Sequence, residues 1–322
     1  MSGRSWMKSM RPPAVADGPR RAVLLISFGG PEQADEIRPF LDNVLRGRPI
    51  PPERLELVVQ HYLDIGGRSP LNDLTRAQAA ALEAELAVRG SALPVRVGMR
   101  NWKPFIRDEL ARLAGEGVTE VIGVIMAAHR GEASIDRYQA TVAEACRDLG
   151  PTAPAVRYVA PWFDHVQFID ALADRVREGL DELPGDKREK ARWLFTAHSV
   201  PETMPGADLY VADLNRTAEL IAARFDGHPW RLVWQSRSGS PRDPWFGPDI
   251  CVALPEEAKS GAPAFLVVPI GFVADHVEVL FDLDHQAAEV AGALHRTFAR
   301  APTVGTHPGF IRALADRVQE TL

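Results

Sequence analysis

Two kinds of run alternate along the chain. Short, nearly unbroken apolar runs rich in branched residues read as buried strands: Arg21 to Phe28 (RAVLLISF), Pro94 to Met99, Thr119 to Met126, Ala155 to Val159, Trp193 to Ala197, Trp230 to Gln235 and Ala264 to Ile270. Between them lie helical patterns from Glu32 onward and over Leu74 to Val88, Pro104 to Leu113, Ile135 to Leu149, His165 to Leu180, Asp208 to Arg224 and Pro308 to Leu322. Strands that alternate with helices predict an α/β protein with parallel sheets and helices on both faces. Pro39 interrupts the first helical pattern and predicts a kink or two shorter helices.

The segment Gly150 to Pro154 carries two prolines, after which the strand–helix pattern restarts. This predicts two Rossmann-like lobes, residues 21–150 and 151–307, with a cleft between them. Residues 308–322 form a last helix expected to pack back on the first lobe, because chain termini often lie close together. Residues 1–20, with Arg4, Lys8, Arg11 and two adjacent prolines but no apolar core, read as a flexible tail and not as a secretory signal.

Composition narrows the function classes. With 322 residues and 46% hydrophobic content, the chain is long enough for two cores. A formal charge of -6 and a pI near 5.9 give no general field for nucleic acid, so none is expected as a partner. No apolar run approaches the roughly 20 residues that span a bilayer, so no transmembrane segment is expected. Cys146 and Cys251 are the only cysteines, which excludes a four-cysteine cluster and a CxxC redox site within one chain and fits a reduced, cytoplasmic setting. Oligomeric state is not encoded in any pattern here.

Candidate chemistry gathers where strands end, because open parallel sheets present ligands at the carboxyl ends of their strands. Trp193 to Ala197 ends at His198, within FTAHSVPE, and Ala264 to Ile270 runs into a turn with Asp275, His276 and Glu278. A histidine and a carboxylate facing one cavity are suited to proton and metal chemistry. Glu278 reads equally as the end of a D-x-x-E capping box begun by Asp275, and the two roles are compatible. His198 and His276 each read also as core histidines. Ser199 lacks the GxSxG elbow of a hydrolase. Gly29-Gly30-Pro31 makes a tight strand-to-helix turn, without GxGxxG or GxxxxGK[ST], so a nucleotide site is not indicated. Arg130-Gly131-Glu132, after His129, reads as a solvated loop. Trp234 to Ile250, with Pro241, Pro244 and Pro248, is a long loop able to lay Trp245 over a flat ligand.

At these residues the chain resembles the ferrochelatase family, which inserts ferrous iron into a porphyrin during heme synthesis. The matching segments are LLISFGGPE (Leu24 to Glu32), HYLDIGGRSPL (His61 to Leu71), FTAHSVPE (Phe195 to Glu202), WQSRSGSPRDPWFGPD (Trp234 to Asp249) and VPIGFVADHVEVLFDLD (Val268 to Asp284). The resemblance covers nearly everything after Arg21, in order. It implies a lyase of chelatase fold that grips a porphyrin in the cleft, with His198 and Glu278 as the catalytic and metal-binding pair and Asp282 on an outer metal path. Iron would be a substrate, with no tightly bound cofactor. Phe28, Arg46, Ser69 and Trp245 are the implied substrate contacts.

Departures from the family refine this. Phe28 stands where several bacterial relatives have a tyrosine, so no phenol ligand is available there. Gln286 occupies the last acidic position of the outer row, and no cysteine follows Cys251, so an iron–sulfur cluster is not expected. Arg46 to Arg54 reads RGRPIPPER in place of an apolar lip, which favours a soluble enzyme and a more carboxylated porphyrin, coproporphyrin III, over protoporphyrin IX. A cobalt or nickel chelatase for another tetrapyrrole, and a noncatalytic porphyrin or heme carrier, are the alternative readings.

Overall fold

Among the described residues, eight strands sort into two four-stranded parallel sheets with the same internal order. The structure, a computed structural model, describes residues 19–238 and 242–322. Residues 1–18 of the expected tail, and Pro241 of the Trp234 to Ile250 loop, lie outside the described residues. The first sheet holds β1 (Arg21–Ser27), β2 (Val95–Met99), β3 (Glu120–Ile125) and β4 (Ala155–Tyr158), in the order β2-β1-β3-β4. The second holds β5 (Arg192–His198), β6 (Trp230–Gln235), β7 (Ala264–Val268) and β8 (Thr297–Arg300), in the order β6-β5-β7-β8. Strand for strand, the second lobe repeats the topology of the first.

The helices of the first lobe are α1 (Ile37–Leu45), α2 (Pro52–Asp64), α3 (Leu71–Val88), α4 (Ile106–Gly115) and α5 (Arg137–Leu149). They are followed by α6 (Val166–Asp181), α7 (Gly185–Arg188), α8 (Ala207–Ala222) and α9 (Ile250–Lys259). After β7 come α10 (Val277–Val279), a π-helical stretch Leu280–Ala287 and α11 (Ala288–Ala293), and the chain closes with α12 (Pro308–Thr321). Pro39 does not kink a helix. It sits in the first turn of α1, where its missing N–H has no intrahelical partner to lose.

The boundary expected at residues 150 and 151 falls one strand too early. β4 pairs with β3 in parallel and so completes the first sheet. The two prolines before it only close the connection from α5. The crossing comes after β4: α6 packs on α8 and β7 of the second lobe, while α12, after β8, packs on α3 and β3 of the first. The two crossing helices pack on each other, where Trp162, Phe168 and Phe310 form an aromatic knot with ring centroids 5.0 to 5.6 Å apart. All three are at most 2% exposed. Burial of each such side chain is worth about 2 to 3 kcal/mol, so the exchanged helices bind the lobes into one core. Gly309 permits the close crossing, since a Cβ there would lie 2.8 Å from the Gln167 carbonyl oxygen.

β8 escapes detection in the sequence, although the other edge strands, β2, β4 and β6, do not. Its residues TFAR are mostly half-buried and lack the continuous apolar run of a central strand. By contrast β1, β5 and β7, whose interior positions are buried throughout, carry that run.

Candidate active site

β5 and β7 are hydrogen-bonded neighbours, so their carboxyl ends open on the same point of the cleft. β5 delivers His198 as its last residue. Beyond β7 the chain turns back over β5, and Gly271 donates its N–H to the Thr196 carbonyl at 3.0 Å. A Cβ on Gly271 would lie 2.7 Å from that of Ala197, so only glycine lets the turn sit this low. The outcome is an approach of 3.5 Å between His198 Nε2 and Glu278 Oε1, with both side chains about one-third exposed.

The His198 ring is oriented from its other edge. Its Nδ1–H donates to the Ser199 carbonyl, which leaves Nε2 facing Glu278. Tyr210 supports the same residue by donating its hydroxyl to the His198 carbonyl at 3.3 Å. Burial works against charge on the ring, but the Glu278 carboxylate overcomes it and pushes the His198 pKa up to about 9. Burial likewise works against charge on Glu278, and His198 outweighs it, holding the carboxyl below its ordinary value. The unliganded pair is therefore imidazolium and carboxylate.

The expected Asp275 capping box is not what forms. Asp275 is held by Thr303 Oγ1 at 2.9 Å and by Arg300 at 3.4 Å. The N-cap is His276, whose Nδ1 accepts the Glu278 N–H at 3.2 Å. Recruitment of Asp275 by Arg300 and Thr303 moves the helix start one residue along and leaves the Glu278 carboxylate facing His198. With Nδ1 accepting, His276 is a neutral ring, and burial lowers its pKa.

Asp282 lies farther along the π-helical stretch and accepts a hydrogen bond from the Ser236 hydroxyl. Burial, countered by that bond and reinforced by the Glu278 charge, raises its pKa to about 7. Asp249 stands nearby as the N-cap of α9, accepting the Cys251 N–H at 2.8 Å. Gln286 is exposed. A π segment is frequent at functional sites because its wider turns re-aim side chains; here it starts two residues after Glu278.

The first lobe forms the opposite wall. Phe28, at the end of β1, is 38% exposed and stands edge-on to Phe40. Arg46, exposed at the C-cap of α1, has a left-handed backbone with φ of 50°. Ser69 is buried at 2%, its hydroxyl accepting the Leu71 N–H, and its Cβ lies where Gly30 leaves room. It supports the glycine turn and is not open to the cleft. Trp245 is half-buried in a loop fastened to the segment after His198: Phe246 N–H bonds the Val200 carbonyl, Glu202 N–H the Pro244 carbonyl, and Ser199 Oγ the Phe246 carbonyl.

Sequence reading missed Arg100, Tyr138 and Ser236. Arg100 follows β2 directly and Ser236 follows β6, so the strand-end rule that found His198 reaches both. Burial lowers the Arg100 pKa, and Arg46, Arg137 and Arg48 lower it further. Tyr138 feels the charges of both Arg100 and Glu278; burial raises its pKa and keeps the phenol protonated. Among the described residues no carboxylate pairs with Arg46, Arg48 or Arg100. A group of cations left without counterions beside an open cleft is suited to an anionic ligand. No set of three or more His, Cys, Asp or Glu converges as a resident metal site among the described residues. An ion held by His198 and Glu278 would take its other ligands from water or from a bound ring.

Comparison with known proteins gives the family. The Ferrochelatase family model matches residues 20–322. The chain is 42% identical over 304 residues to the coproporphyrin III ferrochelatase of Mycolicibacterium smegmatis, covering 94% of this chain and 89% of the relative. It is 43% identical over 309 residues to that of Nocardia farcinica, covering 94% and 88%. Among solved structures, SirB from Bacillus subtilis with Fe3+ superposes with a TM-score of 0.59 at 12% identity, over 94% of this chain and 95% of that one, a likeness of fold. The chain belongs to the ferrochelatase family.

Proposed function

We propose that this protein inserts ferrous iron into coproporphyrin III, with His198 and Glu278 acting on one face of the ring and the arginines of the first lobe holding propionates. The observation that carries the reading is the 3.5 Å approach of His198 Nε2 to Glu278 Oε1 at adjoining strand ends in a cleft whose other wall is cationic. Insertion exchanges the waters of Fe2+ for four ring nitrogens and releases two pyrrole protons. A carboxylate to receive the cation, and an imidazole nitrogen that can ligate it or accept a proton once the arriving cation has displaced the proton held against Glu278, meet both needs. Ser199 fixes the ring so that Nε2 is the working atom, and Tyr210 steadies the strand end beneath it.

Asp282 extends the polar path outward from Glu278, with Ser236 fixing its carboxylate. Four propionates, in place of two, suit the unpaired Arg46, Arg48 and Arg100. The reading includes no resident iron–sulfur cluster, since both cysteines lie outside any four-thiolate arrangement. No helix among the described residues is long and apolar enough to cross a membrane, and a cytoplasmic site of action fits the two free thiols.

Anaerobic incubation with Fe2+ and metal-free coproporphyrin III, followed by the visible spectrum, tests this directly. Turnover is expected for the natural sequence, with loss in both His198→Ala and Glu278→Ala. Normal insertion by both variants would overturn the site assignment. Equal or faster insertion into protoporphyrin IX would overturn the substrate, and stoichiometric porphyrin binding without turnover would mark a carrier.

A further inference from the structure

The turn that carries Glu278 is pinned from the other lobe by one side chain. Gln78, in α3, is completely buried. Its amide nitrogen donates both hydrogens across the lobe boundary, to the carbonyls of Val273 and Gly305, each at 3.0 Å. Val273 also accepts the Gly305 N–H at 3.0 Å, so one carbonyl joins three segments. Two residues later Asp275 is held by Thr303 and Arg300, and three residues after that comes Glu278. The turn is thus fixed on one side within its own lobe and on the other by Gln78.

The other half of that amide has no partner. Gln78 Oε1 is buried without a hydrogen bond. The orientation is forced, because exchanging O and N would set an oxygen against two carbonyls. An apolar side chain of equal length would forfeit both donated bonds and leave the Val273 and Gly305 carbonyls without that donor. What the amide supplies and an apolar group would not is two directed bonds that set the position of the Val273 carbonyl relative to α3.

We propose that Gln78 is a positioning residue for metal insertion: from the first lobe, it holds the Glu278 turn at the height that places the carboxylate against His198. The proposal rests on the assignment of Glu278 as a working carboxylate. α3 also holds the first-lobe wall, since Asn72 clamps Gly30 in both directions, donating to its carbonyl at 2.9 Å and accepting its N–H at 3.0 Å. One helix therefore sets the spacing between the glycine turn on one side of the cleft and the carboxylate turn on the other.

The test compares Gln78→Leu, Gln78→Met, Glu278→Ala and the Gln78→Leu/Glu278→Ala double variant, each assayed for Fe2+ insertion into coproporphyrin III, thermal midpoint and porphyrin affinity. The two Gln78 variants are expected to melt within a few degrees of the natural protein and to bind porphyrin within twofold. Their kcat is expected to fall at least 10-fold, with a higher KM for Fe2+. In the Glu278→Ala background the Gln78 change should add nothing, because its effect passes through that carboxylate. Full insertion by either folded Gln78 variant overturns the proposal, as does a multiplicative loss in the double variant. If Glu278→Ala itself inserts iron normally, the failure belongs to the catalytic assignment instead. The unbranched Met keeps the test open should Leu impair folding.

Discussion

In each lobe the helix before the second strand reaches across to the loop after the third strand of the other lobe, yet the two ties differ in chemistry. α8 sends Asp213, 2% exposed, which accepts from the Arg130 N–H, Nε and Nη2 at 2.9, 2.9 and 2.6 Å. One helical turn on, Thr217 receives the His129 Nε2–H at 3.1 Å and passes its own hydrogen to the Phe163 carbonyl. α3 sends Gln78, neutral and half satisfied, to the turn that leads to Glu278. The charged and saturated tie thus lies at the loop without reactive groups, where it contributes cohesion. At the reactive loop the tie is weaker and directional.

The widest separation between the two loops is expected in activity. Glu278→Gln keeps shape but not charge and should slow iron insertion by about 100- to 10,000-fold; Arg130→Ala, at the corresponding loop of the first lobe, should leave kcat within about twofold. Steady-state rates under anaerobic conditions decide this, and a comparable loss in both would dissolve the contrast.

Stability should show the reverse order. Arg130→Ala strands the Asp213 carboxylate and should cost about 2 kcal/mol in urea unfolding. This is below the roughly 3 to 5 of a fully buried pair because 43% of the arginine side chain meets solvent. Gln78→Leu, which loses two bonds from a neutral donor, should cost less, about 1 kcal/mol.

His129 sharpens the same tie through pH. Burial, only partly countered by Asp213, depresses its pKa to about 4, below the ordinary 6.5. The unfolded chain takes up the proton first as pH falls, so the stability present above pH 6.5 declines by up to about 1.4 kcal/mol per unit toward pH 4. The difference between the natural protein and His129→Gln in unfolding free energy, measured from pH 7 to 4.5, isolates this slope. A difference that stays flat with pH would mean that the ring is not held neutral.

The smallest effect is at the cationic wall. Arg100→Gln should raise the Kd for coproporphyrin III about 5- to 10-fold and that for protoporphyrin IX less, read by fluorescence quenching at two salt concentrations. An equal change for both porphyrins would detach Arg100 from carboxylate recognition.

Much of this was legible along the chain because buried central strands announce themselves. RAVLLIS, RWLFTAH and AFLVV leave no other reading than strands, and two of them end where His198 and Glu278 approach each other. Two things were not legible: β8 has no apolar run, and the membership of β4 depends on a partner 35 residues away, Glu120 opposite Ala155. Arg100 and Ser236 obey the strand-end rule but carry no signal of their own, since an isolated arginine or serine after a strand is ordinary in any loop.

The sequence by itself determined the strands and the family and put His198 and Glu278 forward as a candidate pair, because hydrophobic runs and ordered motifs are local properties. The packing of the last helix on the first lobe was expected from the sequence; only the tertiary structure decided that α6 packs on the second lobe, that His276 and not Asp275 caps the helix, and that Gln78 reaches Val273, 195 residues away. Each of those depends on which of several competing hydrogen-bond partners a polar group meets once distant segments are packed. A buried amide has the same letter whether it is satisfied or not.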